Sequence, residues 1–191
     1  MSGEISLLIE IKGKGTALLA ETTPGVSLKL LGPLGRGFPD LPPRSLLVAG
    51  GAGIAPLAFL AASTAAPRTL LYCARSSEFL VCPDTDLDLP GLSVMEATDD
   101  GSRGVKGTAA DLLSNRIEKA GAVFACGPRP MLAAVKEICS RAKIETWFSL
   151  EERMACGIGA CVGCAVATTG GYRRVCRDGP VFPAEEVIFD G

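Results

Sequence analysis

The stretch Ser45-Leu46-Leu47-Val48-Ala49-Gly50-Gly51-Ala52-Gly53-Ile54-Ala55-Pro56 passes from an unbroken apolar run through glycine into a helical pattern. An apolar run without alternation describes a strand covered on both faces, as inside a parallel sheet. Glycines at the strand end let the backbone approach a phosphate, whose charge suits the N–H groups at a helix start. The loop is not the G-x-G-x-x-G fingerprint, and a plain turn between strand and helix remains open.

Outward from this stretch the alternation continues. Residues 69–73, 92–97, 122–125 and 146–150 read as strands, and residues 57–65, 109–119 and 130–142 as helices. Such alternation predicts an α/β fold with a parallel sheet and ligands at the carboxyl ends of its strands. A second strand end, Cys126-Gly127-Pro128-Arg129-Pro130-Met131, again breaks the chain before a helix. Two such loops at neighbouring strand ends make a cleft with two walls. Arg75 is a candidate phosphate partner, and residues 98–101 read as a turn cap.

Upstream, residues 5–11 and 26–31 are β-prone, with Lys12-Gly13-Lys14-Gly15-Thr16 as a glycine-rich turn between them. Gly32-Pro33-Leu34-Gly35-Arg36-Gly37-Phe38 then interrupts regular structure. A short antiparallel piece is expected over residues 1–41, closed by the proline-rich run 39–43. Residues 42–145 then form the α/β domain and residues 146–191 a third segment.

That last segment carries the most specific pattern. Cys156, Cys161 and Cys164 stand at C-x4-C-x2-C spacing, and Cys176 follows eleven residues later. This is the plant-type ligand pattern of a 2Fe-2S cluster. Gly157, Gly159 and Gly163 let the backbone turn its N–H groups toward the sulfurs. Arg153, Arg173, Arg174 and Arg177 are available to offset negative charge. A structural zinc site is the alternative, but it prefers two separated cysteine pairs.

Composition narrows the function. The 191 residues are 48% hydrophobic and 21% charged, with a net charge of −2. That describes a globular chain with no electrostatic case for nucleic acid or an anionic membrane. No apolar run reaches the length of a membrane span, and the first residues lack a signal-peptide pattern, so a cytoplasmic location is expected. The chain has no histidine, which removes imidazole catalysis and Rieske ligation. Four of the eight cysteines, Cys73, Cys82, Cys126 and Cys139, lie in apolar sequence and read as buried thiols.

Taken in order, GKGT, GPLGxGF, GGxGIAP, CGPxxM and ERMACGIGAC-x2-C…C-x-DGPVF resemble the electron-transfer subunit of NAD-dependent dihydroorotate dehydrogenase, within the ferredoxin reductase superfamily. The resemblance implies a ferredoxin-reductase-like nucleotide-binding domain, an N-terminal β-barrel remnant for FAD and a C-terminal 2Fe-2S segment. It implies FAD contacts at Leu8, Ile9, Glu10, Gly15 and Thr16. Gly51, Gly53, Ala55 and Pro56 match the NAD loop, and Cys126, Gly127 and Pro128 its opposite wall. Cys156, Cys161, Cys164 and Cys176 match the cluster ligands. The implied partner is a flavin-bearing dihydroorotate dehydrogenase catalytic subunit in a heterotetramer, with electrons delivered to NAD in pyrimidine biosynthesis. The family's arginine flavin anchor is absent, so a partial barrel that holds FAD loosely is expected. A ferredoxin:NADP or sulfide-type reductase subunit is the neighbouring reading; the NADH-dependent ferredoxin:NADP relatives carry aspartate at the first cluster position, where this chain has Cys156. A redox-sensing cluster protein without turnover is the reading from another class.

Overall fold

The computed structural model describes residues 5–63, 68–81 and 92–189. They fall into two compact units, Met1–Pro33 and Leu34–Gly191.

The larger unit is built on one sheet. Its strands are β1 (Leu46–Gly50), β2 (Arg68–Ala74), β3 (Leu92–Thr98), β4 (Val105–Lys106), β5 (Val123–Cys126), β6 (Thr146–Ser149) and β9 (Val181–Pro183). Their order is β4-β3-β2-β1-β5-β6-β9. All pairs are parallel except β6 with β9. The helices of this unit are α2 (Ile54–Ala62), α3 (Ala109–Ser114), α4 (Arg129–Ala142) and α5 (Val175–Asp178). β7 (Ala165–Thr168) and β8 (Gly171–Arg174) form a separate hairpin.

Period-two alternation divides the apolar run of β1 between two cores. Leu47 and Ala49 join Leu70, Tyr72 and Phe124 beneath α2. Leu46 and Val48 join Leu71, Val123 and Ala125 beneath α3 and α4. Every residue of β1 is buried as a result. The expected α/β class with a parallel sheet is therefore what this unit has.

Helix ends follow local chemistry. Thr108 and Asp111 form a reciprocal cap at the start of α3, with Thr108 N–H donating to Asp111 Oδ2 at 2.8 Å. The helix expected over residues 109–119 stops at Ser114, and a 3-10 turn covers Ile117–Lys119. α4 ends on Lys143 in the left-handed conformation, φ 56°, with Ile144 N–H closing on Cys139 O at 3.0 Å.

The segment after Pro33 belongs to this larger unit rather than to the N-terminal piece. Arg36 N–H donates to Gly179 O. Phe38 meets Phe124 edge-on, with ring centroids 5.7 Å apart. A Cβ on Gly35 would come within 2.1 Å of Gly179 O, so the motif's glycine allows this close approach.

In the smaller unit the expected strands over residues 5–11 and 26–31 carry no ladder. A pair of short strands is marginal without a third strand or a covering helix, and Ile5, Leu7, Leu30 and Leu31 stay exposed. The expected glycine-rich turn instead opens a helix, α1 (Lys14–Ala20). Thr16 Oγ1 accepts from the N–H groups of Lys12 at 2.9 Å and Gly13 at 3.2 Å. Local capping thus takes up the hydroxyl that a turn would have left free.

Candidate functional site

β1 connects through α2 to β2 on one side, while β5 pairs with β1 on the other. The strand order therefore reverses between β1 and β5, which is where an open α/β sheet has its ligand crevice. Both sequence-predicted glycine loops lie at this point. Ala49 and Cys126 are register partners, so the two strands end level with each other.

The two loops touch through their glycines. A Cβ on Gly53 would lie 2.3 Å from Cys126 O, and one on Gly50 would lie 2.8 Å from Pro128 Cδ. One on Gly127 would meet the Gly50 backbone at 3.0 Å. Gly53 and Gly127 are thus needed for backbone to pass against backbone, and Gly50 for the Pro128 ring and the Met131 side chain to sit against the strand end. Gly51 differs: its φ is +52° and no atom lies within 4 Å of its Cβ position. It is the glycine with open space for a ligand's approach. Ala55 and Pro56 follow in the first turn of α2, and Pro128 caps α4. Both helices begin at the crevice, so their partial positive ends suit an anionic ligand.

Cys126 is fully buried at this junction. Burial first, and then the nearby Glu151 charge, push its thiol up to about 12. Arg75 follows β2 and is exposed. Asp100 accepts from Ser102 N–H at 2.9 Å and Ser102 Oγ at 2.7 Å, so residues 98–101 form the expected turn cap.

The four cluster cysteines come together as two pairs. Cys161 N–H donates to Cys156 Sγ at 3.4 Å. Cys164 and Cys176 pair likewise, with Cys176 N–H donating to Cys164 Sγ at 3.5 Å. Among the described residues no three Cys, His, Asp or Glu side chains converge on one point, as a single ion would require. Two thiol pairs suit two irons, and this donor chemistry fits a Cys-ligated 2Fe-2S cluster.

The pairs differ in setting. Cys164 and Cys176 are buried, whereas Cys161 is exposed and Cys156 half-buried. The N–H groups of Cys161, Ile158 and Ala160 around Cys156 pull its thiol down to about 6, the Cys161 N–H most strongly. Burial raises Cys176 instead. Gly157 at φ +70° and Gly159 at φ +80° make the left-handed turns that aim these donors inward.

A strut that the sequence reading missed holds the pairs in place. Arg174 Nη1 donates to Gly159 O at 2.8 Å, and Arg174 N–H donates to Asp178 Oδ2 at 2.9 Å. Val175 N–H closes on Cys164 O at 3.0 Å. Arg174, read as a charge offset, thus ties the loop to the short helix carrying Cys176. Its i,i+4 spacing to Asp178 was the available signal.

The residues matched to FAD lie in the smaller unit. Leu8 and Ile9 are moderately exposed, and Glu10 pairs with Lys12 at 2.9 Å. Gly15 and Thr16 sit in the first turn of α1. Cys82 lies outside the described residues.

Residues 151–188 match the family described as the iron-sulfur cluster binding domain of dihydroorotate dehydrogenase B. The chain is 42% identical to the dihydroorotate dehydrogenase B (NAD(+)) electron transfer subunit of Caldanaerobacter subterraneus, covering 97% of this chain and 76% of that protein. The chain belongs to that family. The Desulforamulus reducens subunit of the same name is 37% identical over 98% of this chain and 76% of its own length. Among solved structures, an NADH-dependent reduced ferredoxin-NADP oxidoreductase superposes with a TM-score of 0.78. It is 28% identical, over 94% of this chain and 67% of that one. Family membership fits the two-paired thiols and the crevice, which the same compact unit carries. No helix among the described residues is long and apolar enough to cross a membrane.

Proposed function

We propose that this chain carries electrons between a dihydroorotate-oxidising catalytic subunit and NAD, as the electron-transfer subunit of an oxidoreductase in pyrimidine biosynthesis. The observation that carries the reading is the pairing of Cys156 with Cys161 and Cys164 with Cys176, within the unit that holds the β1–β5 crevice. Nicotinamide exchanges hydride, a cluster exchanges single electrons, and FAD does both, so the three together convert one currency of reduction into the other.

In this reading the four cysteines hold the cluster and the backbone N–H groups at residues 158–161 stabilise its charge. Gly51 and the first turn of α2 receive the nucleotide's phosphates, opposite Cys126, Gly127 and Pro128. Leu8, Ile9, Glu10, Gly15 and Thr16 serve FAD. The chain supplies binding, orientation and electrostatics, and the partner supplies the dihydroorotate site.

Anaerobic co-purification with the catalytic subunit tests the assignment. The complex is expected to hold labile sulfide and FAD and to reduce NAD at the expense of dihydroorotate. The isolated chain is expected not to oxidise dihydroorotate. Stoichiometric zinc without sulfide, or substrate oxidation by the isolated chain, would overturn it. The likeness to the ferredoxin-NADP oxidoreductase favours a second reading, in which ferredoxin is the electron partner. Ferredoxin-dependent and dihydroorotate-independent NAD(P) reduction would select that one.

A further inference from the structure

The first residue of α4 is a cation, Arg129. A positive charge there opposes the helix dipole, which favours anions at this end. Helix formation therefore does not account for it. Arg129 Nη1 donates to Glu152 Oε1 at 2.7 Å, a contact between residues 23 apart in the chain. The guanidinium also lies over the Phe189 ring, 5.9 Å from its centroid, and Phe189 packs on Phe148 of β6 with centroids 5.9 Å apart.

Each end of this ion pair is rooted in a different site. Arg129 follows Pro128 directly, on the wall of the nucleotide crevice. Glu152 lies between β6 and Cys156, on the segment that delivers the cluster ligands. The Arg129 side chain remains half-exposed, and a guanidinium has five N–H donors in a fixed fork. It can hold Glu152 and still offer donors to an anion in the crevice.

We propose that the Arg129–Glu152 pair couples the two sites, with Arg129 meeting a phosphate of the bound dinucleotide and Glu152 relaying its position to the Cys156–Cys161 loop. This rests on the functional reading above. A phosphate on one side and the thiolate-bound centre on the other then draw on a single cation. Chemical reduction of the loaded chain adds negative charge on the Glu152 side, and nucleotide binding adds it on the crevice side. Each weakens the other's hold on Arg129. By linkage the two effects are equal. Nucleotide binding that is about tenfold weaker to the reduced chain corresponds to a cluster midpoint lowered by about 59 mV.

The test uses the complex with its partner, FAD and cluster, and ADP-ribose as a nucleotide without redox chemistry. The cluster midpoint is followed by paramagnetic resonance with and without ADP-ribose, which by linkage gives the ratio of its affinities for the oxidised and the reduced cluster without the contribution of flavin reduction. The parent is expected to bind ADP-ribose about tenfold more weakly when reduced, with the matching fall in midpoint. In Glu152→Gln, with iron and sulfide retained, the difference is expected to fall below about threefold. Arg129→Gln reads the same contact from the α4 side and is expected to lose the difference as well as some affinity. A full difference surviving in either variant, or none in the parent, would overturn the coupling. Failure of the parent to hold a cluster or to bind ADP-ribose would instead overturn the functional reading, and the coupling with it.

Discussion

The crevice wall and the cluster loop are both built with glycine and cysteine, but they use these residues in opposite ways. At the wall, Gly50 and Gly53 have ordinary backbone angles and lack a side chain because the facing loop is in the way, through the Cys126 backbone at Gly53 and the Pro128 and Met131 side chains at Gly50. In the cluster loop, Gly157 has φ +70° and little nearby, so conformation rather than space requires it. The cysteines divide similarly. Cys126 is sealed in the wall and protonated, while Cys156 is surrounded by N–H donors and ionised near neutrality. The same residue types thus pack one region and leave an acidic, donor-ringed thiol in the other, and the surroundings decide which.

The largest expected difference is in thiol reactivity. In the cluster-free chain at pH 7, Cys156, pulled down to about 6, is mostly thiolate. Cys126, pushed up to about 12, is almost wholly thiol. Iodoacetamide is expected to label Cys156 rapidly and to leave Cys126 unmodified, as peptide mass mapping would show. The Cys156 rate should fall as pH drops through about 6. The sign for stability follows: a depressed thiol pKa stabilises the fold above the unfolded-state value, and that contribution is lost as pH falls through the folded value. Equal labelling of the two thiols would erase the contrast.

Two substitutions sharpen it further. Cys164→Ser removes a ligand from the buried pair and is expected to abolish labile sulfide and, with it, the redox dependence of ADP-ribose affinity, while the crevice, built on other elements, still binds the nucleotide. Gly53→Val does the reverse. Its Cβ would fall 2.3 Å from Cys126 O, and that neighbour is backbone. Overpacking of this kind costs about 1–3 kcal/mol and is expected to part the two loops. Nucleotide affinity should fall while iron content holds. Unchanged affinity in Gly53→Val would separate the glycine junction from the nucleotide site.

How much of this was legible in the sequence follows from where each signal is stored. The buried strands announced themselves because β1 is covered on both faces, leaving no polar position in residues 46–50. The four cysteines proposed as cluster ligands stood out from spacing alone, since C-x4-C-x2-C is local geometry written in residue numbers, and the fold brings them together as two pairs. The hairpin β7–β8 was not, because Ala165–Thr168 is short and takes its strand character from pairing with Gly171–Arg174. Residues 5–11 and 26–31 show the converse: β-prone composition is a preference for a partner, and without a ladder it yields no strand. The role of Gly53 was half legible. Glycine was expected there for a phosphate's approach, whereas its missing side chain makes room for Cys126, a contact 73 residues away that no local pattern encodes. Arg129–Glu152 was hidden for the same reason.

The smallest effect tests the cluster loop's side of the comparison. If Gly157 is required only for its backbone angle, adding a methyl group should cost conformational energy and nothing more. The nearest atom to a Cβ there is Leu34 Cδ1 at 3.5 Å, an ordinary contact at the end of a flexible side chain. Gly157→Ala is therefore expected to cost about 1–2 kcal/mol, the penalty of the left-handed region for a residue with a Cβ. At the scale of this chain each kcal/mol lowers the melting temperature by roughly 2–4 °C. Gly157→Asn should cost less, because asparagine tolerates this conformation through local hydrogen bonding. Both variants should reconstitute with full iron and sulfide, since neither the thiol pairs nor the N–H groups of residues 158–161 are removed. Equal loss of stability in the alanine and asparagine variants would point to crowding rather than angle. The cluster loop would then resemble the crevice wall after all, with a neighbour pressed against Gly157 as Cys126 is pressed against Gly53.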